Sequence, residues 1–362
     1  MIVKNPVWRL SWLIFFVLVG YESRATEQDS TRSTFWQRLH PDSLVNRELH
    51  VLPVPVLRVS PETGLQYGLT LDYMFNSNAS DSASKTRNSL AWIQAAYSTL
   101  KQLTIEPVWQ VYTRNEGYLL RGRGGYLSFS EYFWGIGNET LSNDEYLNLS
   151  YNRTYFQGEF LKNVRGRFFT GFTVYLNDTR AIRFDDIERL AGAGEYTGLA
   201  PHKLVGIGPS LVFDHRNDAF SPTEGWYAAW AYRRHLPELG SRFAYGEHQL
   251  DLRKYFYWNK KHFLGIQGIG QFTDGEVPFR ELPRIGGPTI MRGYFMGRYR
   301  DRQLWSPQAE YRYNLGRFLV AAAFVGAGGV APTVSDFSWT TTRLSYGGGR
   351  PGLFKPQMDT NT

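Results

Sequence analysis

The sequence predicts an all-β chain that folds as a transmembrane antiparallel β-barrel, and three observations predict it. From about residue 48 onward the chain breaks into segments of roughly ten residues in which apolar and polar side chains alternate, with turn-forming stretches between them. A strand needs that pattern when one face meets hydrocarbon and the other meets water. The chain carries 23 Tyr, 24 Phe, 11 Trp and 36 Gly, a load that suits interfacial girdles and close strand packing better than an ordinary soluble core. After the first residues no stretch nears the about 18 consecutive apolar residues of a membrane helix. A mean hydropathy of −0.38 is compatible with a barrel, because only alternate residues touch lipid.

The start of the chain predicts export. Lys4 and Arg9 precede the apolar run Leu10 to Gly20, and Ser23-Arg24-Ala25 follows it, the plan of a cleaved secretory signal over residues 1–25. The apolar run is about half as long as the roughly 20 residues that span a bilayer. A short periplasmic lead over 26–50 and a barrel over 51–362 complete the expected organisation. With no cysteine, a lipoprotein anchor, a disulfide framework and a thiolate metal site are excluded. The net charge of +7 does not point to nucleic acid, because Lys and Arg are scattered through strand-like segments and alternate with Asp and Glu. The partner implied is outer-membrane lipid, and the compartment is the outer membrane of a Gram-negative bacterium.

Fourteen strands are expected, near 51–60, 64–75, 89–99, 102–113, 117–129, 144–157, 165–177, 203–214, 225–235, 243–256, 261–272, 302–314, 317–329 and 342–349. In the second, Leu65, Tyr67, Leu69, Leu71, Tyr73 and Phe75 share one face and Gln66, Gly68, Thr70 and Asp72 the other. Around 146–156 the same reasoning puts Leu147, Leu149 and Tyr151 toward lipid and Asn148, Ser150, Asn152 and Thr154 toward a polar lumen. In 303–315 Trp305, Pro307, Ala309, Tyr311 and Tyr313 face outward, and Ser306, Gln308, Glu310, Arg312 and Asn314 inward. A soluble β-sandwich would instead carry Lys, Glu and Thr on its outward faces. The long links are 76–88, 178–201 and 273–301, whereas 236–241 and Gly316 are turn-like. The first long link follows an even strand and the other two follow odd ones. Either the early count is off by one or the first link is not external.

Two motifs carry a family resemblance. Asp214-His215-Arg216-Asn217, then Pro222-Thr223-Glu224-Gly225, resembles the Asp-x-Arg-(Asn/Asp), Pro-x-x-Gly hairpin of BamA/TamA-type barrels; Pro222 presets φ and Gly225 permits a backbone angle closed to other residues. Met291-Arg292-Gly293-Tyr294, after Gly286-Gly287-Pro288, resembles the Arg-Gly-(Phe/Tyr) tip of the loop that folds back into the barrel in this superfamily. Gln308-Ala309-Glu310-Tyr311-Arg312 is similar to the family's Glu-x-Arg strand. An arginine held in a lumen needs a carboxylate, so Arg292 is expected to pair with Glu310. The family's next strand shows Phe-x-Asp-x-Gly, but here Gly326 stands at the aspartate position, leaving Arg292 without a second carboxylate. The resemblance covers residues 203–349, and Tyr132 to Thr140 is similar to a Tyr-Gly-Ile-Gly-Asn stretch of related barrels.

The resemblance implies about sixteen strands where about fourteen are readable, so the C-terminus is expected to be shortened. It also implies periplasmic POTRA modules, for which 26–50 is too short, so no POTRA-docked partner is expected. The implied function is outer-membrane protein assembly, or translocation and surface display of a polypeptide cargo. The alternative is a passive pore or surface antigen, with Glu247, Asp251 and Arg253 lining a solvated channel. An outer-membrane lipid enzyme is the weakest reading: there is no Gly-x-Ser-x-Gly, no His-Glu-x-x-His and no phosphate-cradling loop. The histidines lack ligand spacing, and His215 beside Asp214 is the one candidate dyad. No catalytic residue, cofactor or metal is expected.

Overall fold

The computed structural model describes residues 51–78, 86–189, 196–259, 261–316 and 319–349. The expected signal, the periplasmic lead and the tail from 350 lie outside the described residues. Fourteen strands form one antiparallel sheet, each paired with its sequence neighbours: β1 (Val51–Ser60), β2 (Gly64–Phe75), β3 (Ser89–Ser98), β4 (Leu103–Tyr112), β5 (Tyr118–Phe133), β6 (Leu147–Arg165), β7 (Phe168–Phe184), β8 (His202–Asp214), β9 (Gly225–His235), β10 (Tyr245–Trp258), β11 (His262–Gly275), β14 (Gln303–Asn314), β15 (Val320–Ala331) and β16 (Arg343–Gly349). Two short strands, β12 (Arg284–Ile285) and β13 (Tyr299–Arg300), pair within the link between β11 and β14. All fourteen expected strands are present. Among the described residues β1 and β16 are not hydrogen-bonded to each other.

The outward faces carry an apolar belt. Leu65, Tyr67, Leu69, Leu71 and Tyr73 of β2 are exposed, while Gln66 and Thr70 between them are buried. The belt continues through Ile93, Phe160, Phe172, Ile207, Leu252 and Ile266. So much exposed apolar surface on alternate positions belongs in hydrocarbon. On β14, Pro307 and Tyr311 are exposed and Ser306 is buried, as the alternation requires.

Around 146–156 the structure reverses the expected faces. Leu147, Leu149 and Tyr151 are buried inside with Phe133, Tyr175 and Phe279, and Asn148, Ser150 and Thr154 point out to solvent. The cause is strand length. β5, β6 and β7 run for 16, 19 and 17 residues, whereas about 9–11 residues cross a bilayer. The apolar belt ends at the Phe156↔Leu176 pair, and the next outward pair is Thr154↔Asp178. Beyond that line the outer face meets water, and the inner face packs under loops. The inner face at that level is therefore built from apolar side chains set beside the inward charges Glu131 and Arg153, where a purely polar lining was expected.

The links resolve the counting conflict. Those following β5, β7 and β11 are long and share one end of the sheet, and 166–167 and 259–261 are tight turns at the other. The early count stands, and link 76–88 lies at the short-turn end, where its last part reaches the lumen through Arg87.

Candidate functional site

At the short-turn end, the β8–β9 hairpin motif builds a closed charge cluster. The turn is held by local chemistry: Asn217 Oδ1 accepts from the Thr223 and Glu224 amides, and Asp218 Oδ1 from Phe220 and Ser221. Pro222 lies in the same turn. Gly225 has φ +109°, and a Cβ there would lie 2.1 Å from the His215 carbonyl, so the chain can enter β9 only through glycine. Asp214, 1% exposed, faces inward and accepts from Arg216 Nε at 2.8 Å and Nη2 at 3.0 Å, a bidentate contact. Arg87 Nη1 reaches the same carboxylate at 2.6 Å and grips Glu116 with two contacts of 2.9 Å. Tyr112 donates to Asp214 at 3.2 Å, and the two guanidinium groups lie over Tyr112 and Tyr227. His215 is exposed beside Phe213, so it forms no dyad with Asp214.

In mid-lumen the inward charges are paired, across strands and within β10. Arg121 donates to Glu159 at 3.0 Å and Ser210 to the same carboxylate at 2.6 Å. Arg233 and His235 meet Glu247 at 2.6 and 3.1 Å, and Arg253 contacts Asp251. Glu247, Asp251 and Arg253 thus sit in ion pairs.

The 276–302 link folds into this lumen. Its tip is shaped by Gly286 N donating to Ile290 O at 3.0 Å and Gly287 N to Tyr294 O at 3.0 Å. Met291, fully buried, packs with Ile269, Ile285, Leu304 and Val330. A Cβ on Gly328 would lie 2.5 Å from its sulfur, so the glycine in β15 is what admits the tip. Arg292 Nη1 lies 2.5 Å from Glu310 Oε2, and Arg312 Nε reaches Glu310 Oε1 at 2.5 Å. The ring of Phe324 lies 3.9 Å from the Arg292 guanidinium carbon, a cation–π contact. Gly293 follows at φ +103°, and the Tyr294 hydroxyl donates to Leu344 O at 3.0 Å, reaching β16.

The base of the loop is tied down by Glu281 and arginines that sequence reasoning did not single out, and by the Tyr132–Thr140 stretch that it did. Tyr175 and Asn177 donate to Glu281 at 2.7 and 3.2 Å. Burial would raise the Glu281 carboxyl, but Arg153 and Arg280 outweigh it and hold it below the usual range. Arg298 donates to Asn143 Oδ1 at 2.6 Å, Thr140 Oγ1 at 2.5 Å and Leu141 O at 3.0 Å. Gly137 N donates to Arg300 O at 2.8 Å and Asn138 Nδ2 to Val330 O at 2.8 Å. The Tyr132–Thr140 stretch thus lies across the loop. One signal was available: Arg280, Arg284, Arg298 and Arg300, in a link that enters a lumen, demand acceptors there.

Below the loop tip is a cavity of about 930 Å³ lined by Val54, Val56 and Arg58 of β1, by Arg216 and Pro222 of the hairpin, and by Arg292, Glu310 and Val320. The sheet therefore curls until its first strand and its thirteenth share one space, and both sequence motifs face it.

A curled antiparallel sheet with an apolar outer belt and a loop seated inside defines an outer-membrane β-barrel. Residues 195–349 match the Omp85 superfamily domain. BamA from Haemophilus ducreyi lacking POTRA domains 1–3 superposes with a TM-score of 0.53 at 14% identity, over 82% of this chain and 62% of that one. CdiB from Escherichia coli gives 0.54 at 10% identity, over 82% and 54%, and CdiB from Acinetobacter baumannii gives 0.50 at 13%, over 81% and 51%. No curated protein matches the chain by sequence. Residues 195–349 thus carry the Omp85 superfamily match, and the fold is similar to that of the BamA and CdiB structures. It spans about half to two thirds of the length of the structures it resembles.

Proposed function

We propose that this barrel handles a polypeptide at the outer membrane, inserting it, passing it across or displaying it, with no covalent chemistry. The supporting observation is that both motifs face one cavity: the Asp214–Arg216 hairpin and the Arg292–Glu310 loop tip bound the same 930 Å³ space, beside β1. That space is large enough for a segment of extended chain, and its lining includes Arg58, Arg292 and Arg312, cations suited to backbone carbonyls and carboxylates. The orientation that goes with this reading puts the short turns in the periplasm and the long links outside.

Depletion of the protein, followed by quantitative comparison of outer-membrane and secreted polypeptides, tests it. The expected outcome is loss of at least one polypeptide, restored by the wild-type chain and not by a variant with the 286–297 loop tip removed. An unchanged polypeptide profile, together with a steady conductance in planar bilayers, would favour the passive pore instead.

A further inference from the structure

We propose that the long-loop end of the lumen holds a small inorganic anion between Arg280 and Arg300, sealed beneath the base of the 276–302 loop. Glu131 of β5 is approached by Arg284 at 3.2 Å, Arg300 at 3.6 Å and Arg280 at 3.9 Å, so three guanidinium groups share one carboxylate. Arg153 and Glu281 nearby form a pair at 3.9 Å and do not reduce the excess.

Hydrogen bonding points the same way. Arg300 is fully buried, and its Nε, Nη1 and Nη2 have no acceptor among the described residues; Arg280, also buried, has none for Nε and Nη1. Their approaches to Glu131 are too long for hydrogen bonds. Guanidinium cannot shed its charge, and an uncompensated buried cation costs several kcal/mol. Burial, outweighing the attraction of Glu131, lowers Arg300 to about 10, still charged at neutral pH. Aromatic faces do part of the work: Arg280 lies 3.3 Å over Tyr151 and Arg300 4.8 Å over Phe133. Neither face supplies an acceptor for the in-plane N–H groups. Arg300 Nη2 and Arg280 Nε turn toward Glu131 Oε1; Arg300 Nε and Nη1 and Arg280 Nη1 remain, donors that fit a halide or a small oxyanion, and the burial of Arg300 excludes a carboxylate on a passing cargo. This site is independent of the cargo reading.

The test is thermal unfolding of the refolded full chain in detergent, in sodium gluconate against chloride or phosphate at equal ionic strength. Either small anion should raise Tm by about 5 °C in a saturable way; a response to chloride alone identifies a halide, and a response to phosphate an oxyanion. Arg300→Gln should abolish the shift. Glu131→Gln, which removes the competing carboxylate, should enlarge it, whereas a purely structural Glu131 would only lower Tm equally in every salt. Equal Tm in all three salts, or a shift that survives Arg300→Gln, overturns the proposal. Bromide soaked into wild-type crystals gives a readout that needs no variant: an anomalous peak between Arg280 and Arg300 is expected where chloride raises Tm, and a chloride response with no peak there contradicts the proposal.

Discussion

The two ends of the lumen solve the same problem differently. At the short-turn end Arg87 and Arg216 meet Asp214 and Glu116, two cations against two carboxylates, with donor distances of 2.6 to 3.0 Å. At the long-loop end three arginines surround Glu131 at 3.2 to 3.9 Å. The first cluster ties β8 and the β8–β9 hairpin to β4 and link 76–88, all parts of the wall. The second ties a long insertion to the wall and leaves cationic donors over. Balanced, bidentate pairing makes the lower lumen rigid; surplus charge makes the upper contact depend on what else is present.

The largest effect should come from Asp214→Asn, which leaves two buried guanidinium groups sharing a neutral partner. Removing one member of a buried pair costs about 3–5 kcal/mol, so the folded band in an unheated gel should convert at a clearly lower temperature. Gly225→Ala comes next. A side chain at that positive φ is strained, and the expected loss is above about 1 kcal/mol, read by the same gel; an unchanged conversion temperature would mean the hairpin is not built as described. A smaller effect is expected at the loop tip, where Arg292 is a third exposed. Arg292→Ala and Glu310→Ala should each lower the conversion temperature modestly, and the double variant should lose less than their sum; additive losses would break the pair. Arg180→Ala, in an exposed pair with Asp178 beyond the belt, should leave it unchanged.

Much of this comparison was legible in the sequence and part of it was not, for physical reasons. Strand positions followed from period-two alternation, and the Arg292–Glu310 contact from a motif joined to strand parity. Alternation alone, however, shows that two faces differ without showing which is inside. Leu147, Leu149 and Tyr151 read like lipid-facing residues because the pattern is the same when an apolar face turns in beneath a loop. The extensions of β5 and β7 beyond the belt lack the outward apolar residues that mark a membrane strand, so their ends were placed too early; β6 was ended early within the belt itself, at 157 rather than Arg165. The two charge clusters were hidden by distance along the chain: Arg87 lies 127 residues from Asp214, and Arg284 lies 153 from Glu131. No local pattern couples such positions.

The account turns on the 276–302 loop being seated inside the barrel, and cysteine chemistry tests that directly, because the chain has no cysteine of its own. In a Met291→Cys/Gly328→Cys variant, a short thiol-reactive crosslinker applied to outer membranes should join the loop tip to β15 and shift the folded band, with neither single variant doing so. Efficient crosslinking places the tip in the lumen; a paired variant that folds, labels at both thiols and fails to crosslink would contradict it.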